Sequence, residues 1–273
     1  MPTIVFASSK GGAGKTTAAI ILASELVRRG RAVTLVDADP NRHLAAWAGD
    51  LTGDMAGDAA ENPFARIVRT SEDRILDDLT AAGGSGFVIV DLEGRANVAM
   101  SYAVSMADLV IIPCRASDLD GREAIRVLGF IRQQERLLGR PVAAALLRTQ
   151  VNAAIHTRIE RAIIDDMTAA GCAVFDNRLV ERDAFRRMVS HGCLLHDLDA
   201  EDRRALEARE RAVAAAKAFA DEVIRRFEAV GTGNPVSWDV VDRHVVDRDG
   251  EQPREEWNGR RPPSPQTLAG DVG

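Results

Sequence analysis

Several short and nearly unbroken apolar runs divide the chain, and some of them end at an aspartate or a proline. They cover residues 3–7, 32–36, 87–91, 108–113 and 142–147, with a shorter run at residues 174–175. Runs of this length without polar alternation are typical of strands that are buried on both faces of a parallel sheet. The pattern therefore predicts a sheet that other elements cover on both sides.

Longer stretches with helical periodicity separate these runs. They cover residues 18–29, 71–82, 121–138, 155–170 and 181–189. A long amphipathic helix near the end is predicted from an apolar stripe at helical spacing, formed by Leu206, Val213, Ala216, Ala220, Val223 and Phe227. Gly30 is a natural C-cap for the first helix, and Ser71 is a natural N-cap for the second. Strands that alternate with helices predict right-handed βαβ units, and thus an α/β fold with a doubly wound, mostly parallel sheet flanked by helices.

The rest of the chain predicts loops and a tail. Residues 49–65 are rich in Gly, Asp and Ala and are interpreted as an irregular loop, and residues 83–86 as a glycine-rich turn. From about residue 231 Gly, Pro, Asp and Arg dominate, so residues 231–273 are predicted to be a disordered tail behind a domain of residues 1–230. An apolar segment around Trp238 is either a docking segment or an inert part of this tail.

Composition limits the partners and the compartment. The 273 residues carry a formal net charge of −6, so contact with nucleic acid would need a local basic patch. The 3 cysteines lack metal-ligand spacing and indicate reduced thiols in a cytoplasm. Neither a signal peptide nor an apolar segment of membrane-spanning length is visible, and a cytoplasmic protein is expected.

A glycine-rich turn stands between the first predicted strand and the first predicted helix. It consists of Ser8, Ser9, Lys10, Gly11, Gly12, Ala13, Gly14, Lys15, Thr16 and Thr17. Such a turn binds phosphate, because its backbone N–H groups converge on the anion and the helix dipole adds to the attraction. Lys15 is expected to reach the β- and γ-phosphates, and the Thr16 hydroxyl to coordinate Mg²⁺. Lysine occurs elsewhere only at position 217, which indicates that both loop lysines are required where they stand.

The loop departs from the strict P-loop pattern, which has Gly in place of Ser9. Residues 10–16, Lys-Gly-Gly-Ala-Gly-Lys-Thr, resemble the deviant Walker A motif of the ParA/MinD family of ATPases. The resemblance implies a P-loop NTPase fold with ATP and Mg²⁺ as cofactors. It also implies that Lys10 crosses a dimer interface to the partner's nucleotide, so that Lys10 and Lys15 both act in catalysis. The implied nucleotide contacts in this loop are Lys10, Gly11, Gly12, Ala13, Gly14, Lys15, Thr16 and Thr17.

Carboxylates end two of the predicted strands, where open α/β sheets build their sites. The Asp37-Ala-Asp39-Pro segment resembles the family's switch I, which implies that Asp39 orients the attacking water and that Asp37 lies near the Mg²⁺. Asp91 resembles the Walker B aspartate, which holds the Mg²⁺ through water. Gly94 then matches the switch II amide that donates to the γ-phosphate. Glu93 is unusual beside it and is expected to point away.

Segments further along the chain also resemble the family, and they concern the nucleotide base, the dimer interface and the cargo. Arg148 and Thr149 fall where the family contacts the base, and residues 121–138 resemble its dimer-interface helix. A guanine-reading Asn-Lys-x-Asp signature cannot be formed, which favours ATP. The closer match to the ParA side implies a slow, Mg²⁺-dependent, partner-stimulated ATPase that forms a homodimer with ATP. Such a protein partitions or positions plasmid or chromosomal DNA, or a large protein cargo, with a ParB-like or other adaptor.

DNA binding would depend on two arginine-rich helices. The candidate residues are Arg182, Arg186, Arg187, Arg203, Arg204, Arg209, Arg211, Arg225 and Arg226. They could follow phosphates without reading bases, which gives salt-sensitive binding on the nucleoid. The alternative is a solvated helix face that is balanced by Glu207, Glu210, Asp221 and Glu222.

Two other functions of the same superfamily remain as alternatives. A MinD-like ATPase that cycles on a membrane would need a basic amphipathic anchor near the C-terminus, and no such anchor is expected in this tail. A metal or iron–sulfur assembly ATPase would want a Cys-x-x-Cys pair or a His-rich stretch, and the sequence has neither. The ParA-like function is therefore favoured.

Overall fold

The structure is a computed structural model, and it describes residues 2–52, 64–82, 86–153 and 157–231. Residues 53–63 of the predicted irregular loop and residues 83–85 of the predicted turn lie outside the described residues. The same holds for residues 232–273, which include Trp238 and nearly all of the predicted tail.

The described residues form one eight-stranded sheet in which the strand pairings are parallel. The strands are β1 (Thr3–Phe6), β2 (Val33–Ala38), β3 (Arg66–Arg69), β4 (Phe87–Leu92), β5 (Leu109–Cys114), β6 (Ala144–Val151), β7 (Ala173–Val174) and β8 (Leu179–Val180). Their spatial order is β3-β2-β4-β1-β5-β6-β7, and β8 pairs with β6. The first strand thus lies in the centre, and the chain winds outward from it in both directions.

Helices cover this sheet. They are α1 (Lys15–Arg28), α2 (His43–Thr52), α3 (Ile75–Ala81), α4 (Val98–Met106), α5 (Asp118–Leu138), α6 (Arg158–Ala169), α7 (Asp183–Ser190) and α8 (Arg203–Gly231), with a 3-10 turn at Leu195–Asp197. In the described ranges, no helix combines the length and apolarity that crossing a membrane requires. The predicted α/β fold, with a parallel sheet flanked by helices, is confirmed.

The two faces of the sheet support two separate hydrophobic cores, as the central strand shows. Ile4 and Phe6 of β1 pack in a core with residues of α1, α2, α7 and α8. Val5 and Ala7 point to the other face, where α3, α4, α5 and α6 cover the sheet. Side chains of a strand alternate between faces, so a strand covered on both sides needs apolar residues at every position. This is the physical reason for the unbroken apolar runs.

Among the described residues, the elements that were not predicted are β3, β8, α2, α4 and the 3-10 turn. Strand β3 reads Arg-Ile-Val-Arg, with Arg66 and Arg69 exposed, because it lies at the edge of the sheet and lacks the apolar run of a central strand. Strand β8 has two residues, too few to show a period. Such short strands form because a neighbouring strand offers them backbone hydrogen bonds.

Two smaller predictions need correction. Ser71 does not cap α3, which begins at Ile75; the Ser71 carbonyl instead accepts N–H groups of Arg74 and Ile75 in a preceding turn. Leu206 is 37% exposed and does not belong to the buried stripe of α8, although Ala216, Ala220 and Val223 do. The stripe is completed by Ala212 and Phe219, which are fully buried.

Candidate nucleotide-binding site

The site lies at the carboxyl ends of the central strands. Asp91 of β4 is the register neighbour of Phe6 in β1 and of Asp37 in β2. The chain leaves β1 after Phe6 and reaches α1 through the glycine-rich loop. The loop and the two carboxylates are therefore brought to one edge of the sheet, as the sequence predicts.

The loop has the backbone shape of a phosphate cradle. Gly12 and Gly14 adopt positive φ angles of 80° and 88°, and Gly14 is the N-cap residue of α1 in the left-handed region. A Cβ at Gly14 would stand 3.4 Å from the Thr149 side chain, so this position has little room for one. The N–H groups that begin α1 face the loop without intrahelical acceptors, which is the arrangement that binds anions.

The two loop lysines point in different directions. Lys15 is 6% exposed, and its Nζ donates to the Ser8 hydroxyl at 3.0 Å. Burial lowers the pKa of Lys15, against the opposing charges of Asp91 and Asp39. Lys10 is directed outward to α5, where its Nζ lies 3.3 Å from Asp120 Oδ1. One lysine thus lines the loop and the other leaves it.

Thr16 and Asp91 form the part of the site that fits Mg²⁺. The Thr16 hydroxyl donates to Asp91 Oδ2 at 2.6 Å, and Asp91 is fully buried. Asp91 Oδ1 has no hydrogen-bond partner among the residues that the structure describes. Burial raises the pKa of Asp91 to about 7. A hydroxyl paired with a buried carboxylate that has an unused oxygen matches the hard oxygen ligands that Mg²⁺ takes, usually together with water and phosphate.

Asp37, which is predicted to lie near the Mg²⁺, accepts hydrogen bonds from two backbone amides. Its Oδ1 accepts the Asp39 N–H at 3.0 Å, and its Oδ2 accepts the Ala45 N–H at 2.8 Å. Burial raises the pKa of Asp37, while these two backbone hydrogen bonds lower it. Since both oxygens are engaged by backbone amides, Asp37 fixes the loop that carries Asp39. Asp39 itself accepts the N–H and the side-chain amide of Asn41.

Gly94 brings the loop after β4 against the phosphate loop. A Cβ at Gly94 would lie 2.7 Å from the carbonyl carbon of Lys10 and 2.8 Å from the Gly11 nitrogen. Only glycine permits so close an approach. The neighbouring Glu93 forms an ion pair with Arg95, 3.1 Å from its Nε. Gly94 is therefore in direct contact with the backbone of the outward lysine.

A pocket of about 360 Å³ opens beside the first turn of α1. It is lined by Gly14, Thr17, Ala18, Ile21, Thr149, Gln150, Leu179, Val180, Glu181, Arg182, Phe185, Arg186, Val189 and Ser190. Thr149 Oγ1 donates to the Ala13 carbonyl at 2.7 Å, and Gln150 Nε2 lies 3.3 Å from the Gly12 carbonyl. The pocket is mostly apolar and adjoins the phosphate loop, which suits the base of a nucleotide.

Sequence reasoning found Thr149 but missed most of this pocket. Gln150 sits at an irregularity in the pairing of β6 with β8 and has a left-handed φ of 51°. The apolar lining comes from β8 and α7, whose side chains carry no nucleotide motif. The single signal for Gln150 was its position directly after Thr149.

Arg148 does not line the pocket, although it was predicted to contact the base. Its guanidinium donates to the carbonyls of Phe175 and Asp176 at 2.9 and 2.8 Å and to Glu160 at 3.4 Å. Burial lowers the pKa of Arg148, although it stays a cation at physiological pH. Arg148 therefore ties β6 to the segment after β7.

The arginines predicted to bind DNA fall into two groups. Arg226 pairs with Glu222, donates to the Val174 carbonyl at 3.0 Å and lies 5.1 Å from the Phe175 ring centroid. Arg209 donates to the Leu198 carbonyl at 2.7 Å, and Arg187 to the Asp199 carbonyl at 3.3 Å. These three hold parts of the fold together, whereas the half-buried Arg182 lines the pocket beside α1. The exposed group is Arg186, Arg203, Arg204, Arg211 and Arg225.

Comparison with known protein families shows the family to which the chain belongs. The profile described as VirC1 protein matches residues 1–229. The chain belongs to the VirC1 family. It is also 37% identical over 220 residues to Protein ParA of Rhizobium radiobacter, an alignment that covers 80% of this chain and 96% of that protein.

More distant relatives agree with this assignment. The chain is 27% identical over 211 residues to Maintenance of carboxysome distribution protein A of Halothiobacillus neapolitanus, covering 75% of this chain and 91% of that protein. A chain of the MinC:MinD cell division protein complex of Aquifex aeolicus shares the fold, with a TM-score of 0.62 at 18% identity over 82% of this chain and 96% of that one. The predicted membership of the ParA/MinD family of P-loop ATPases, on its partitioning side, is confirmed.

Proposed function

We propose that this chain is a Mg²⁺-dependent ATPase whose ATP-bound homodimer holds DNA without reading its sequence and releases it after hydrolysis. The observation that carries the proposal is the outward position of Lys10. Its side chain is 38% exposed and lies outside the loop that Lys15 fills. A lysine in this place can reach the phosphates of a second subunit, where it would stabilise the charge that develops in phosphoryl transfer.

Each subunit supplies the remaining chemistry. The N–H groups of residues 11–17 and the ammonium of Lys15 hold the phosphates, and Gly94 donates its N–H to the γ-phosphate. Thr16 and Asp91 would hold the Mg²⁺, and the bound ion would neutralise phosphate charge. Asp39 orients the attacking water, and Asp37 fixes the loop that presents Asp39. Thr149 and the apolar pocket beside it take the base, whereas the carbonyl of Phe175 holds Arg148 outside this pocket.

The cargo is inferred from relatives. The names ParA and Maintenance of carboxysome distribution protein A stand for proteins that resemble this chain over most of their length. We take from them a role in partitioning or positioning, with DNA or a large protein assembly as cargo. A slow intrinsic ATPase of this kind would be stimulated by an adaptor protein, ParB-like or of another type.

DNA contact is assigned to the exposed arginines alone. Arg203 is 91% exposed and Arg211 is 58% exposed, and their ion pairs with Glu207 are at the surface, where such pairs contribute little. Together with Arg204 they give the start of α8 three exposed arginines, which stand among Glu207 and Glu210. Two such groups of arginines in a dimer would follow a phosphate backbone and would place the protein on the nucleoid.

The test is binding to duplex DNA of arbitrary sequence with ATP, with ADP and without nucleotide, at two salt concentrations. Binding with ATP alone that weakens as salt rises is the expected result. The double variant Arg203→Gln/Arg204→Gln should lose affinity and salt dependence, whereas Arg66→Gln in the edge strand β3 should bind as the wild type does. Equal binding in all nucleotide states would refute the switch, and no binding in any state would remove DNA from the function.

A further inference from the structure

The residue that holds Lys10 lies in an unusual electrostatic setting. Asp120 is in the first turn of α5 and is 5% exposed. Its Oδ1 accepts from Lys10 at 3.3 Å, and its Oδ2 accepts from the Arg115 Nε at 3.2 Å and from the Ser117 hydroxyl. One carboxylate is thus shared by two cations and a hydroxyl.

Because Arg115 and Ser117 also contact Asp120, breaking the ion pair between Lys10 and Asp120 costs little free energy. A buried carboxylate that loses its only cation is strongly destabilised, but Asp120 would keep Arg115 and the hydrogen bond from Ser117. Burial alone would raise the pKa of Asp120, and the hydroxyl and the two cations lower it, so the carboxylate stays charged. Lys10 can leave without leaving a bare charge behind.

The loop after β4, to which the proposed function assigns contact with the γ-phosphate, directly contacts the backbone of this lysine. Gly94 approaches the Lys10 backbone so closely that a Cβ would meet its carbonyl carbon at 2.7 Å. Beside it, the Ser9 hydroxyl donates to Glu123 Oε2 of α5 at 2.6 Å. The phosphate loop is therefore anchored to α5 at Ser9, independently of where the Lys10 side chain goes.

We propose that Asp120 is a holding site for Lys10 that competes with the phosphates of the partner's nucleotide, and that Arg115 neutralises Asp120 once Lys10 has left. Asp120 is then a positioning residue that raises the ATP concentration at which the dimer forms. The inference rests on the proposed function, in which Lys10 acts across a dimer interface. The proposal predicts the direction of the effect, because a change that weakens the ion pair between Lys10 and Asp120 should favour the dimer.

The first test is Asp120→Asn in the full chain, with dimer formation followed by analytical ultracentrifugation over a range of ATP concentrations. The amide keeps an acceptor for Ser117 but loses the charge that attracts Lys10. We expect half-maximal dimerisation at an ATP concentration about fivefold lower, the size expected for release of a partly exposed ion pair. A residue with a merely structural role would weaken the dimer when changed. An unchanged or higher ATP requirement would therefore overturn the proposal.

A second variant acts in the opposite direction and protects the test if Asp120→Asn folds poorly. Arg115→Ala leaves Lys10 as the one cation on Asp120, so the ATP requirement should rise, and this rise should vanish in the Asp120→Asn background. Asp118→Asn, which removes the same charge from the exposed part of the same turn, is the matched control and should behave as the wild type. A rise that persists in the Asp120→Asn background would overturn the proposal.

Measurements on the wild type and on Asp120→Asn distinguish the ATP-dependent dimer from the holding site at Asp120. If the wild type stays monomeric at saturating ATP and Mg²⁺, both the proposed ATP-dependent dimer and the proposed holding site are wrong. If the wild type forms the dimer and Asp120→Asn needs as much ATP or more, the holding site is wrong and the ATPase switch stands.

Discussion

The hydroxyl of Thr16 donates a 2.6 Å hydrogen bond to Asp91 and joins the first turn of α1 to the end of β4. Within the described part of the chain, the second oxygen of this fully buried carboxylate has no hydrogen-bond partner. A buried, unpaired carboxylate oxygen costs free energy. The fold therefore keeps a destabilising group at the point where we propose that Mg²⁺-ATP binds, as is common for functional sites.

Asp91→Asn should raise the melting temperature of the nucleotide-free protein while it weakens Mg²⁺-dependent ATP binding. Burial raises the folded-state pKa of Asp91 from 3.8 to about 7, so stability is lost as the pH rises through this window. Asparagine never ionises and can still accept from Thr16. Thermal melts should show a larger gain at about pH 8 than at about pH 5. A variant that is less stable than the wild type at the higher pH would contradict this account.

Lys15→Ala should bind ATP about 100-fold more weakly, because hydrogen bonds to a charged group contribute about 1.5–3 kcal/mol each. The Lys15 ammonium lies inside the loop, 3.0 Å from Ser8, so water cannot easily replace it. Titration calorimetry measures the loss. Lys217→Ala, at an exposed position of α8, is the matched control and should bind normally. Wild-type affinity in Lys15→Ala would rule out the phosphate loop.

Asp39→Ala should still bind ATP but hydrolyse it about 100-fold more slowly, as expected when a group that orients the attacking water is removed. The dimer should then accumulate, which size-exclusion chromatography with ATP detects. Asn41→Ala removes only the side-chain amide that donates a hydrogen bond to Asp39, and it should slow hydrolysis less. Hydrolysis at the wild-type rate in Asp39→Ala would remove this carboxylate from the mechanism.

The phosphate loop and the central strands were predictable because their chemistry is local. The glycines, Lys15 and Thr16 stand next to one another in the sequence, and each central strand needs apolar residues on both faces. The base pocket was not predictable in the same way. It forms where β6, β8 and α7 converge, and the irregular pairing at Gln150 that opens it leaves no pattern in the sequence.

The roles of charged residues were harder to predict from the sequence, since their partners are distant along the chain. Arg148 was expected at the base, but the carbonyl of Phe175 and the carboxylate of Glu160 hold it elsewhere. Arg226 was expected on a DNA-binding face, but it lies against Phe175 and pairs with Glu222. A helical period shows which residues share a face of α8, but it does not show which acceptors and rings of neighbouring elements contact them.

Gly94→Ala should separate the loop after β4 from the phosphate loop, because the added Cβ would overlap the backbone of Lys10 and Gly11. We expect a loss of about 1–3 kcal/mol in the free energy of unfolding, as for other overpacked sites, together with loss of the ATP-induced dimer. Denaturant unfolding and sedimentation measure the two effects. The matched control is Gly129→Ala in α5, where the new Cβ would have no atom of another described element within 4 Å. It should gain about 0.5–1 kcal/mol from helix propensity, since alanine is the better helix former. A Gly94→Ala protein that dimerises with ATP as the wild type does would show that the contact between Gly94 and Lys10 is not part of the switch.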